Sequence, residues 1–247
     1  MSKCLALIPA RGGSKTLPGK NVRPFCGIPL LAHTIKYAKT CHSLADTVVS
    51  TDSDEIAAVA REYGATVLMR DPALARDETP IWAVIRDSLE RMEAINGPYD
   101  YVALLEVTSP LRTPGSVDCA LPFLESRPDA DGIMAVSRFN FNPEWNSFVI
   151  DEAGFLQYLV SQGQGIWRRQ MAREIVHHSG ELYVFRASFV REQIRGYQGG
   201  YFLHYPTPWQ QACSIDTLED FEWAEQLVEK GLVKLPWLER TEAHDTY

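Results

Sequence analysis

The sequence predicts an α/β protein built around a mainly parallel, doubly wound sheet. Three observations predict it. Short apolar runs alternate with helix-like stretches from Cys4 to Val107, the rhythm of consecutive βα units. The first run enters a Gly- and Lys-rich loop, and ligands of open α/β sheets bind at such strand ends. The chain has 247 residues, 45% hydrophobic and 23% charged, enough to bury one large sheet on both faces. A single domain spanning 1–247 is expected, with an excursion over about 138–173.

The elements follow in order. Cys4 to Ile8 (CLALI) is a continuous apolar run, as expected of a strand covered on both faces. Asp46 to Asp52 (DTVVSTD) is the next strand; a helix follows to Gly64, with Asp52 as its expected cap and Glu55 three residues on. ATVLM predicts a short strand, TPIWAVIRDSLERMEAI a helix, and Tyr101 to Val107 (YVALLEV) a third buried strand. From about Arg138 the pattern turns aromatic and alternating, and the DEAG turn signal predicts a β-hairpin. GELYVFRA, GYFLHYP and ACSID read as further strands. A closing helix follows, capped by Thr217 and stopped at Gly231.

Composition excludes several functions. The net charge of −8 argues against a nucleic-acid binder. Residues 1–45 oppose the trend, with seven Lys or Arg and no Asp or Glu, a local charge of +7 that suits a small polyanion. No apolar stretch approaches the roughly 20 residues that cross a bilayer, and the amino terminus lacks a signal-peptide pattern, so no membrane partner and a cytoplasmic location are expected. Five scattered cysteines without a C-x-x-C pair predict neither a disulfide framework nor a zinc site.

The chemistry concentrates in IPARGGSKTLPGKN, residues 8–21. Glycines let a backbone approach a ligand, consecutive N–H groups form an anion-binding nest, and Arg11, Lys15 and Lys20 add charge. A di- or triphosphate fits this set. It is not a Walker loop, since five residues separate Gly13 from Gly19 and Asn21 stands where a magnesium-binding hydroxyl belongs. Nor is it a dinucleotide fingerprint, because Gly12 and Gly13 are adjacent.

Together with STDSDEIA, TSPLR (Thr108 to Arg112), RRQ (Arg168 to Gln170) and IDTLEDFEWAE, this loop resembles, in order and spacing, the N-acylneuraminate cytidylyltransferases, or CMP-sialic acid synthetases. The resemblance spans roughly residues 3–230. It implies a Rossmann-like nucleotidyltransferase fold with a β-hairpin dimerisation arm, Mg2+ as cofactor, a homodimer, and coupling of CTP to an α-keto acid sugar, sialic acid or a related nonulosonate, with release of pyrophosphate. The sugar's anomeric hydroxyl attacks the α-phosphorus, so catalysis rests on positioning and charge neutralisation. By the same resemblance, Arg11, Lys20 and Asp216 are catalytic. Ala10, Arg11, Gly12, Gly13, Ser14, Lys15, Asn21, Arg70 and Asp77 hold the nucleotide. Glu106, Thr108, Ser109, Arg168, Arg169, Gln170 and Ser179 serve the sugar, the Arg168–Gln170 group from the neighbouring subunit.

Asp216 is the implied metal ligand. The family has two aspartates separated by one residue here, whereas this chain has Ser214 and Asp216, which leaves either a hydroxyl acting through water or a second acid such as Asp220 to complete the set. Likewise Glu106 stands for a usual glutamine, and its carboxylate either faces the sugar or pairs with Arg112 or Arg70. Other nucleotides, an amino-sugar phosphate as acceptor, or a catalytically weakened nucleotide-binding module remain open from the residues alone.

Overall fold

The structure is a computed structural model that describes residues 2–13, 16–76, 78–139, 141–161, 165–192 and 196–238. Strand β1 (Cys4–Pro9) is an interior strand, and its alternation feeds two cores: Leu5 and Leu7 on one face, Cys4, Ala6 and Ile8 on the other. A short pair, β2 (Pro24–Phe25) and β3 (Ile28–Pro29), leads into helix α1 (Leu30–Lys39). Then come β4 (Leu44–Thr51), α2 (Asp54–Glu62), β5 (Thr66–Met69), α3 (Ile81–Asn96), β6 (Tyr101–Leu104) and α4 (Ser116–Glu125). The second half holds β7 (Gly132–Arg138), α5 (Pro143–Asn146), the hairpin β8 (Phe148–Ile150) and β9 (Leu156–Tyr158), β10 (Val176–Arg186), α6 (Ala187–Glu192), β11 (Phe202–Pro206) and α7 (Leu218–Glu229).

Seven strands form the main sheet in the order β11-β7-β10-β6-β1-β4-β5. Its pairings are parallel except for β10, which runs antiparallel to both β6 and β7. Residues of α1, α2, α4 and α7 pack into the core on one face, and residues of α3 and α6 into the core on the other. The mainly parallel, doubly wound class therefore holds. The carboxyl ends of β4, β1 and β6 lie side by side at one edge of the sheet, where no backbone ladder consumes the loops.

Three local expectations are corrected. Ser53, not Asp52, caps α2, its hydroxyl accepting from the Ile56 N–H at 3.4 Å. Asp52 is drawn off because its carboxylate accepts the Gly12 N–H at 2.9 Å. The ACSID segment joins no ladder; it is an irregular strap whose Ile215 N–H donates to the Thr108 carbonyl at 2.7 Å. The third apolar run stops being a strand at Leu104, since Glu106 and Thr108 turn out of the sheet. Elsewhere the local signals hold: Thr217 and Asp220 form a reciprocal capping box on α7, and Gly231 ends it in the left-handed region at φ 69°.

Candidate functional site

A cleft of about 250 Å³ opens over the carboxyl ends of β1, β5 and β6. Pro9, Arg11, Lys20 and Asn21 form one wall, Arg70 and Ile81 another, and Glu106, Val107 and Thr108 the third. The first loop is shaped from within. Gly19 sits at φ 68°, a conformation only glycine adopts at ease, and sends the chain into the Lys20–Val22 turn. Asn21 Nδ2 donates to the Arg11 carbonyl at 2.9 Å and so pins the loop's two ends together.

Lys20 is buried, and its ammonium donates to the Ile215 carbonyl (2.7 Å) and to Asp216 Oδ1 (3.2 Å). The loop after β1 is thereby tied to the strap that carries Asp216. Arg70 is anchored on β4 by two bonds, Nε to Ser50 Oγ (3.0 Å) and Nη2 to the Ser50 carbonyl (2.8 Å). Burial lowers the Arg70 pKa from its ordinary value, opposed by Asp52.

Glu106 stands opposite these cations. Its backbone carbonyl accepts from Arg112 Nη2 at 2.5 Å, so Arg112 braces the main chain rather than the carboxylate. Arg70 is likewise spent on Ser50. Among the described residues the Glu106 carboxylate makes no hydrogen bond, and its pKa is raised by burial and further by Asp216, against the pull of Arg112. Beside it the Ser109 hydroxyl is buried without a partner. Gly180 makes this corner possible: at φ 74°, a Cβ there would stand 2.2 Å from Ser109 Oγ and 3.4 Å from Glu106 Oε2.

The expected site residues divide accordingly. Arg11, Lys20, Asn21, Arg70, Glu106 and Thr108 meet in the cleft, with Asp216 tied to Lys20. Ala10 is core, its N–H bonded to the Ser50 carbonyl, and contributes only the loop's starting point. Gly12 and Gly13 are exposed on the loop, the Gly12 N–H already held by Asp52. Ser14, Lys15 and Asp77 lie outside the described residues, as does the side chain of Arg169. Ser179 is buried, its hydroxyl 3.0 Å from Thr207 Oγ1. Arg168 and Gln170 are exposed on the excursion. Asp220 spends Oδ2 on the N–H groups of Asp216 and Thr217.

Among the described residues no group of three or more His, Cys, Asp or Glu is placed to hold a metal ion alone. Asp216, with two-thirds of its side chain exposed beside Lys20, offers one carboxylate, which fits magnesium's habit of combining few protein oxygens with water and substrate phosphates. No helix among the described residues is long and apolar enough to cross a membrane. Sequence reasoning missed Ile81 as a cleft wall and Glu181 behind it; both depend on packing between distant segments and leave no local pattern.

Comparison with known proteins adds the following. Residues 5–121 match the family model described as Cytidylyltransferase. The chain is 32% identical over 228 residues to CMP-N,N'-diacetyllegionaminic acid synthase of Legionella pneumophila, covering 92% of this chain and 97% of that protein. It is 30% identical over 226 residues to N-acylneuraminate cytidylyltransferase of Streptococcus agalactiae serotype V, covering 89% of this chain and 52% of that longer protein. Its fold is similar to the structure of CMP:2-keto-3-deoxy-manno-octonic acid synthetase complexed with CTP, with a TM-score of 0.69 at 18% identity, over 93% of this chain and 100% of that one.

Proposed function

The chain belongs to the cytidylyltransferase family, and from that premise we propose that it couples CTP to an acidic α-keto sugar of the nonulosonate class, giving a CMP-sugar and pyrophosphate. One observation carries the reading: Arg11, Lys20 and Arg70 line one cleft with Glu106 across from them, at the carboxyl ends of parallel strands. Three cations suit a triphosphate, and a hydrogen-bonding corner opposite suits a polyhydroxylated acceptor.

No side chain need become covalently attached, because the sugar hydroxyl is itself the nucleophile. The protein's share is to hold it in line with the α-phosphorus and to meet the charge that develops there. Lys20 is fixed for that task by Ile215 and Asp216, so its ammonium pays little reorganisation when the phosphate arrives. Arg11, Gly12, Gly13, Ser14 and Lys15 cradle the triphosphate. Asn21 keeps the loop closed, and Arg70 and Asp77 border the nucleotide. Thr108, Ser109 and Glu106 border the sugar, with Ser179 buried behind them. Asp216 would hold magnesium jointly with the phosphates, and the ion would supply further charge neutralisation. Arg168, Arg169 and Gln170 act in a partner's site across a homodimer, and the dependence on CTP suits the cytoplasm.

The test is pyrophosphate release over CTP, GTP, UTP and ATP against a panel of nonulosonates, with Lys20→Ala beside the parent. CTP should be preferred, and Lys20→Ala should lower turnover about a hundredfold, the typical cost of losing one preorganised charge contact. Preference for another nucleotide, or near-normal turnover of Lys20→Ala, would overturn the assignment.

A further inference from the structure

Behind the sugar side of the cleft lies a fully buried carboxylate with no task in the chemistry just described. Glu181 is 0% exposed, in the stretch where β10 slips out of register between His178 and Tyr183. The irregularity carries its side chain between two segments far apart in sequence. Oε1 accepts the Thr113 N–H at 2.9 Å, and Oε2 accepts the Thr207 hydroxyl at 2.8 Å. Its backbone carbonyl takes Arg112 Nε at 2.7 Å.

Both Glu181 oxygens accept, and this sets the direction of the hydroxyl chain beside them. Thr207 has one hydroxyl proton and gives it to Glu181, so across the 3.0 Å contact Ser179 must be the donor and Thr207 the acceptor. Ser179 Oγ can then accept the Glu181 N–H at 3.4 Å. Thr113 in turn donates its own hydroxyl to Gln211 Oε1 at 2.9 Å.

These bonds join the loop at 106–113 to the strap at 207–216. The strap has no regular structure and ends on Asp216. It is held by Thr207 on Glu181, Gln211 on Thr113, Ile215 on Thr108, and the grip of Lys20 on the Ile215 carbonyl. Glu181 is the carboxylate anchor in this set, and unlike Lys20 it lies behind the site rather than in it.

We propose that Glu181 is a positioning residue: its carboxylate locks the strap against the 106–113 loop and thereby sets where Asp216 stands relative to the sugar side. The catalytic part of this role rests on the cytidylyltransferase reading; the structural part does not. A glutamine has the same shape but presents an N–H2 where one donor now binds, so it must break a bond or reverse the Ser179–Thr207 chain.

The experiment is Glu181→Gln, read by amide hydrogen exchange and by steady-state kinetics, alone and combined with Asp216→Asn. Peptides covering 106–113 and 207–216 should exchange at least fivefold faster, with those of β1 and β4 unchanged. The kcat should fall about tenfold while the KM for CTP stays within twofold, because the loop at 11–21 is untouched. In the Asp216→Asn background, Glu181→Gln should cost less than twofold more, since both act through one position. Unchanged exchange in the two segments would overturn the proposal, as would a lower Tm with kcat and both KM values intact, or a loss that adds fully to that of Asp216→Asn. Faster exchange in Glu181→Gln, beside a parent that makes no CMP-sugar, would overturn the enzyme reading and leave the lock standing. Should Glu181→Gln fail to fold, Thr207→Val removes the same link and must show the same pattern more weakly.

Discussion

Glu106 carries an ionisable group into surroundings that disfavour its charge. Burial and the neighbouring Asp216 raise its pKa from the ordinary 4.5, and Arg112 offsets this only in part. The folded protein therefore keeps the Glu106 proton to higher pH than the unfolded chain does. Its contribution to stability is full below about 4.5 and is lost as the pH rises through the folded value. Glu106→Gln removes this slope while keeping the shape. The variant should melt at about the parent's temperature near pH 4 and above it at pH 7.5, and a constant difference across that range would refute the argument. With Glu106 bordering the sugar as proposed above, the same substitution bears on sugar choice. A carboxylate only accepts, so it favours a hydroxyl or ammonium over an acyl carbonyl at the facing position, by about tenfold to a hundredfold. Comparing parent and Glu106→Gln on N-acetylneuraminate and its deaminated hydroxyl analogue checks this; an unchanged ratio of kcat/KM would remove Glu106 from sugar choice.

At the scale of elements, α1 is fastened by a buried histidine. His33 Nε2 lies 2.8 Å from the Phe25 carbonyl, and Nδ1 takes the Trp237 Nε1–H at 3.2 Å, which fixes a neutral ring protonated on Nε2. Burial, with a smaller push from Lys36, lowers its pKa from 6.5 to about 4, against the Phe25 bond. The unfolded chain binds the proton more readily, so this stability is whole above about 6.5 and drains away as the pH falls toward 4. At about 1.4 kcal/mol per pH unit the interval is worth about 3 to 4 kcal/mol. His33→Gln should flatten the pH dependence of chemical denaturation between 6.5 and 4; an equally steep profile would rule out His33 as its source. The signals that made α2, α3 and α7 legible were local: an apolar period, a cap, a terminal glycine. The loop from Arg11 to Asn21 was legible for the same reason. The antiparallel run of β10, its slipped register, the strap at 212–216 and the pairing of Glu181 with Thr113 and Thr207 were not, because each depends on which distant segments meet. Asp52 shows the limit plainly, since tertiary competition from Gly12 took a residue that local rules assign to the helix.

On the scale of the whole molecule, the excursion is the part this chain does not cover. Among the described residues the hairpin of β8 and β9 pairs only with itself, and two strands alone bury too little to be stable in water. Phe141, Ile150, Phe155, Leu156 and Trp167 all stand exposed along it, Phe141 at 75% and Ile150 at 74%. Apolar surface gathered this way marks an interface. Under the homodimer proposed above, a second copy of the chain would cover it and would give Arg168 and Gln170, exposed on the same excursion, an acidic substrate to meet. Light scattering at micromolar concentration should therefore give a dimer, and Ile150→Asp with Phe155→Asp should give a monomer that still binds CTP yet turns over at least tenfold slower. Complementation separates a shared site from mere association. Lys20→Ala and Arg168→Ala, each poorly active alone, leave one intact site per heterodimer if Arg168 serves the partner, and that heterodimer carries both lesions in its other site. Mixing equal amounts after reversible dissociation makes half the dimers mixed, so activity should return to about a quarter of the parent's. Activity that stays at the mean of the two variants would place Arg168 in its own subunit's site or in none.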